Sequence, residues 1–347
     1  MLGKTSFFTI SKYNWEVSIP IVRYVVGISF ILFVTALMGY PLAYLTTVLA
    51  LGYIAPGTKP LTFRQGASFL VILIIINLIT FIFSSIFNDY PLVFMPLLFL
   101  GILWVYYTNS LPVMVKLFSI VSIFVIPLMS LEPTGISAFV AISLIFNAFM
   151  AIALSQLVFK AFPWSKSDEI FVKTKQQAVK KTEKERFGYA LNIVSILLPV
   201  ILLFFIFKLS GGLLILIFIG ILSMSPALAN AKVGIFMIAA NILGGLFAIV
   251  AYNLLVIVPL FPFMILLVLF VGFIFGSRLF SSSKLAPIFG TGFSTFLLIL
   301  GSVTASDDEA GSAVWSRLIQ ISIAVIYVVI AFGVLNYFQN KKERVAG

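Results

Sequence analysis

The chain has 347 residues, 62% of them hydrophobic and 10% charged, with 22 Lys and Arg against 11 Asp and Glu for a net charge of +11. A soluble domain usually carries roughly a quarter charged residues, so this composition excludes a water-soluble globular protein. Cysteine and histidine are both absent, which excludes disulfides, thiol nucleophiles, imidazole proton relays and thiolate or imidazole metal sites; no metal and no cofactor is expected.

Apolar runs of about 20 residues, enough to cross roughly 30 Å of hydrocarbon as helix, recur along the whole chain and predict an all-α polytopic membrane protein. The N-terminal segment carries Lys4, Lys12 and Glu16 and leads into an apolar run from Ile21 with no small-residue cleavage site, so the first span is read as retained. Spans are expected near 20–38, 41–56, 66–87, 91–107, 111–130 and 135–161, with Pro or Gly marking several of their ends. The segment 163–187 interrupts them. It is a charged linker in which Lys166, Lys173, Lys175, Lys180, Lys181, Lys184 and Arg186 outnumber Asp168, Glu169, Glu183 and Glu185, as in a helix lying against anionic headgroups. A second set of spans is expected near 188–208, 211–229, 233–257, 259–279, 285–302 and 313–337, giving about 12 in all.

With both termini inside, every Lys and Arg except Lys208 and Arg317 falls on the cytoplasmic side, while Asp89, Glu132, Asp307, Asp308 and Glu309 fall outside. This asymmetry sets the orientation. It also explains the positive charge without nucleic acid, since cations of a membrane protein collect on its cytoplasmic loops.

The two sets of spans resemble each other. Arg23 opens the first and Arg186 immediately precedes the seventh, LGYIAPG (51–57) parallels ILSMSPA (221–227), and Pro91 and Pro259 each begin a fourth span. The expected organisation is a first repeat over 1–162, the linker over 163–187 and a second repeat over 188–347. An even number of spans per half makes the repeats parallel, with a substrate path between them.

Ionisable groups within a bilayer mark functional paths by default. No Asp or Glu lies in the middle of any expected span, whereas Arg23, Lys116, Lys160, Lys208 and Arg317 lie at or within span ends. A cation exporter or proton-driven pump needs a membrane carboxylate, and a prenyltransferase-like enzyme needs paired aspartates to hold magnesium. Neither pattern is present, so the chain is not expected to be an enzyme. Cationic groups without acids at depth suit an anion. Arg317, Arg23 and Lys208 are the candidate anion contacts. Ser225, in the Pro-marked MSPALANAK turn, and Thr291, between Gly290 and Gly292, are polar positions where helix breaks free backbone groups. Asp89, Glu132, Asp307, Asp308 and Glu309 are the candidates for coupling or gating. Other buried Asn, Ser and Thr residues read as interhelical hydrogen bonds.

A duplicated six-span unit, a basic linker, an arginine opening each repeat, the APG and SPA second spans and GSAVWSR before the last span together resemble the fusaric acid resistance and aromatic acid exporter family. The resemblance implies an inner-membrane efflux protein for aromatic carboxylic acids or related toxic compounds, often paired with a periplasmic adaptor protein. Plant relatives of that family are anion channels. Many members carry a large cytoplasmic domain after each half, where this chain has only the short linker and tail. The function expected is therefore secondary transport of organic anions out of the cell, with an anion channel or pore as the first alternative and a non-transporting membrane assembly subunit as the second. The lipid bilayer is the expected environment, and the sequence leaves open a homo-oligomer.

Overall fold

The computed structural model describes residues 15–40, 42–108, 111–131, 135–165, 167–169, 171, 182–208, 215–216, 219, 231–281, 283, 285–304, 319–320, 323–324, 326–328, 330–331 and 333–334. Among them the regular elements are all α-helices: α1 Trp15–Met38, α2 Ala43–Ile54, α3 Phe63–Phe87, α4 Pro91–Tyr107, α5 Val113–Met129, α6 Ile136–Ala161, α7 Glu183–Ile206, α8 Ala231–Ile257, α9 Phe261–Leu279 and α10 Ala286–Thr304. The expected span at 211–229 lies almost wholly outside the described residues, and only part of that at 313–337 is described.

Among the described residues seven helices, α1, α3 and α6 to α10, are long and apolar enough to cross a membrane. Several of them carry exposed large apolar side chains in continuous stripes, such as Val71, Ile74, Leu78, Ile82 and Ile86 on α3 and Leu266, Phe270 and Phe273 on α9, whereas α10 is mostly enclosed by its neighbours. Stripes of this size would drive aggregation in water and are at home against lipid. The chain is a multi-pass helical membrane protein.

Local chemistry sets the ends. Thr62 and Gln65 cap α3 reciprocally, with the Thr62 amide donating to Gln65 Oε1 at 2.9 Å. Thr182 and Glu185 cap α7 in the same way, the Thr182 amide donating to Glu185 Oε2 at 2.7 Å. Such boxes satisfy amides that a helix start leaves without partners. Pro91 opens α4 and Pro262 lies in the first turn of α9, where a missing N–H costs nothing.

Three expected spans are shorter in the structure than the seven candidates: those at 91–107 and 111–130 are the 17-residue helices α4 and α5. The helix within 41–56 is the 12-residue α2, which rises about 18 Å and cannot cross roughly 30 Å of hydrocarbon. Its residues Leu45 to Leu51, Tyr53 and Ile54 are buried, because α1, α6 and α10 pack around it. An apolar run reads the same whether its helix faces lipid or is enclosed by protein, so sequence did not reveal its shortness.

Small residues set how closely the helices pack. A side chain at Gly292 of α10 would lie 2.6 Å from the Ala240 carbonyl oxygen of α8, and one at Gly244 would lie 2.1 Å from the Gly292 carbonyl oxygen. The break expected at Gly290–Gly292 is absent: α10 runs unbroken over Ala286–Thr304, and Gly292 instead lets its backbone approach that of α8. Gly272 and Gly276 of α9 receive Val25 of α1, with a Cβ at either position 2.8 Å and 2.9 Å from that valine. Phe33 then meets Phe261 at a centroid distance of 5.5 Å, so α1 and α9 run antiparallel. Helices α4 and α7 also run antiparallel: Phe94 meets Phe205 at 5.5 Å and Tyr107 meets Phe187 at 6.4 Å.

A candidate anion site at the start of α1

Arg23 lies in the second half-turn after Pro20, two residues before the valine that α9 receives, and its side chain is fully buried. Opposite it is Asp168, also fully buried. The guanidinium grips the carboxylate with both terminal nitrogens: Nη1 donates to Oδ2 at 3.1 Å and Nη2 donates to Oδ1. Nη1 also donates to the Pro163 carbonyl at 3.4 Å. Arg23 Nε has no hydrogen-bond partner. Aromatic faces complete the surroundings, with Phe159 at 4.7 Å and Trp164 at 5.9 Å from the guanidinium carbon.

Asp168 reaches this position because the linker folds back under the bundle after α6. The run Ser165-Lys166-Ser167-Asp168 places an acid three residues after a serine. Asp168 Oδ2 accepts from the Ser165 amide at 2.9 Å and from the Ser165 hydroxyl at 3.0 Å, and the Asp168 amide donates to the Ser165 carbonyl at 3.1 Å. The carboxylate therefore also caps a helical turn at 167–169. Phe171 packs edge-on against Phe280 at the end of α9 (5.3 Å), and Tyr24 of α1 touches the same ring at 5.6 Å. The start of α1, the end of α6 and the end of α9 meet here, and the exposed Pro163 and Glu169 flank the buried pair.

A buried ion pair costs several kcal/mol of desolvation per ion and persists only when geometry and extra hydrogen bonds offset it. Here a bidentate fork, two aromatic faces and the Ser165 bonds supply them. Chemically the arrangement is a carboxylate receptor: a planar fork matched to two oxygens, beside aromatic surface, at one end of the helix bundle.

Arg186, at the start of α7, is built differently. It lies over the Tyr107 ring at 5.6 Å, its only described acid is the exposed Glu183 at 3.7 Å, and it is itself partly exposed. Among the described residues Arg23 alone has a buried counter-ion.

The other candidates are not assembled with Arg23. Lys208 is exposed in the turn after α7 with φ +49°, and Asp89 is exposed between α3 and α4. Thr291 is half-buried and donates to the Ile288 carbonyl of its own helix at 2.7 Å. Arg317, Ser225, Glu132, Asp307, Asp308 and Glu309 lie outside the described residues. Sequence reasoning missed Asp168 as a partner for Arg23; the available signal was the Ser-x-x-Asp run set between Trp164 and Phe171.

Other interior polar groups act as helix fasteners. Thr46 Oγ1 donates to Asn147 Oδ1 at 2.8 Å between α2 and α6, and Thr295 Oγ1 donates to Asn241 Oδ1 between α10 and α8. An apolar cleft of about 250 Å³ between α3, α4 and α5, lined by Ile79, Phe83, Leu97 and Trp104, has no ionisable lining residue.

Fold and site define a multi-pass helical membrane protein with a carboxylate-binding arginine at one end of its bundle. No family model, curated protein or solved structure matches the chain. The resemblance to the fusaric acid resistance family thus has no matching family model behind it, and the chain's own residues carry what is inferred of its function.

Proposed function

We propose that this protein is a secondary exporter of organic anions, aromatic carboxylates in particular, working along the interface of two membrane halves. The observation that carries this reading is the Arg23 site, a buried guanidinium fork beside Phe159 and Trp164 where α1 meets α9. In the proposed architecture of about 12 spans, α1 and α7 are the first helices of two parallel repeats and α4 and α9 the fourth. The contacts are then reciprocal, first helix on fourth across the halves, each closed by a Phe–Phe pair. The proposed orientation has both termini in the cytoplasm of a cell whose inner membrane holds the protein. Moving one negative charge outward down an inside-negative potential gains about 2.3 kcal/mol per 100 mV, so export of a carboxylate needs no membrane acid to carry a proton.

Efflux of labelled benzoate from vesicles carrying the purified protein tests this. The paired substitution Arg23→Gln with Asp168→Asn removes both charges together and is expected to cut efflux at least about tenfold while the protein stays monodisperse, since the charge-assisted fork is lost. Unchanged efflux would remove Arg23 from the path. Arg317→Ala, assayed alongside, asks whether the outer arginine is a second contact. Voltage-driven currents far larger than a saturable flux would instead favour an anion channel. Absence of any flux of benzoate or other aromatic acids would leave an assembly subunit.

A further inference from the structure

We infer that Asp168 is an internal stand-in for the substrate's carboxylate, and that the linker turn around it is a plug which an aromatic carboxylate displaces from Arg23. This rests on the exporter reading for its physiological ligand, although the binding event can be measured without transport.

Three observations carry it. The linker presents to the bundle what an aromatic acid would present, a carboxylate with rings on either side: Asp168 on the Arg23 fork, Trp164 against the guanidinium and Phe171 against Phe280. Next, the bonds that shape the plug lie within it. Asp168 is held by the Ser165 amide and hydroxyl, so the turn keeps its form after leaving Arg23, and its docking contacts include the ion pair, the Pro163 carbonyl bond and ring packing. Finally, the guanidinium is not saturated. Asp168 takes the end-on edge of the fork, and Nε is buried and without a hydrogen-bond partner, so one donor stays unused while the plug is docked.

A tethered carboxylate competes at an effective concentration in the millimolar range, so neutralising it should strengthen binding of a free one. The test uses the full chain in detergent, titrated with benzoate and with benzyl alcohol as the uncharged control, and reads thermal unfolding. Asp168→Asn keeps the side-chain shape. It is expected to lower the half-saturating benzoate concentration about tenfold or more relative to the native chain, with no response to benzyl alcohol. Equal half-saturation in the two proteins overturns the inference.

If that variant does not fold, a reporter on the intact pair decides. The native chain has no cysteine, so Ser167→Cys, at a buried position beside Asp168, gives a single thiol. Maleimide modification should be about tenfold faster in saturating benzoate if the plug undocks; a rate indifferent to benzoate overturns the proposal. Benzoate binding that responds to Asp168→Asn without any vesicle efflux would sink the exporter reading and leave the plug standing. Efflux with the same half-saturation in both proteins would do the reverse.

Discussion

A guanidinium out of reach of water must be answered by something, and at Arg23 the answer comes from one side chain on a segment outside the spans. Deleting one partner leaves the other charge uncompensated. Arg23→Ala is therefore expected to destabilise the protein by about 3–5 kcal/mol in reversible unfolding in detergent, whereas Arg23→Met combined with Asp168→Leu should be near neutral or stabilising. A double substitution as damaging as the single one would mean the pair contributes through something other than charge compensation. Residue-level legibility was uneven for a physical reason. Arg23 stood out because a cation in an apolar run is costly, but Asp168 sits among other charges in a linker, where an acid looks solvated. Its burial depends on a chain reversal after α6 that hydropathy does not encode.

Among the elements, apolar runs and punctuation carried most of the reading. The span expected at 91–107 is the helix Pro91–Tyr107, and that expected at 259–279 begins two residues later at Phe261, after Pro259 and Leu260. The proline ends were legible because proline acts locally. The enclosure of α2 was not, since it depends on three helices from distant parts of the chain. The glycines show the same limit: Gly290 and Gly292 are two residues apart and look equivalent, yet only Gly292 meets backbone. A Cβ at Gly290 would lie 3.3 Å from the flexible end of Leu279, against 2.6 Å from the Ala240 carbonyl for Gly292. Gly290→Ala should therefore be tolerated. Gly292→Val should cost about 1–3 kcal/mol or separate α8 from α10, read as a lowered unfolding temperature. Equal effects at the two positions would show that the close approach does not matter to stability.

At the scale of the whole molecule the expectation concerns sidedness. Arg64 begins α3 and Asp89 follows its end, and a 25-residue helix places them about 37 Å apart, on opposite sides of a bilayer. In the cysteine-free chain, Asp89→Cys should react with a membrane-impermeant maleimide in intact cells, and Arg64→Cys only after the membrane is opened. The opposite pattern would invert the proposed orientation. Class was readable from composition alone, because burying 62% hydrophobic residues in so few charges leaves no other solvent than lipid. The pairing of α1 with α9 and of α4 with α7 was not readable, since apolar helices differ too little in sequence to name their neighbours.

The distance in sequence between Arg23 and Asp168 also bears on biosynthesis. The two residues are 145 positions apart. At a synthesis rate of roughly 5–20 residues per second, α1 exists for about seven to thirty seconds before its counter-ion is made. During that interval an unpaired arginine has to keep its head at the membrane surface, with its aliphatic stem in the hydrocarbon. Helix α1 is therefore expected to enter the membrane shallow and to reach its final depth when the linker docks. A nascent chain stopped at residue 162 should leave Arg23 exposed to water-soluble reagents, while one extended past Phe171 should shield it.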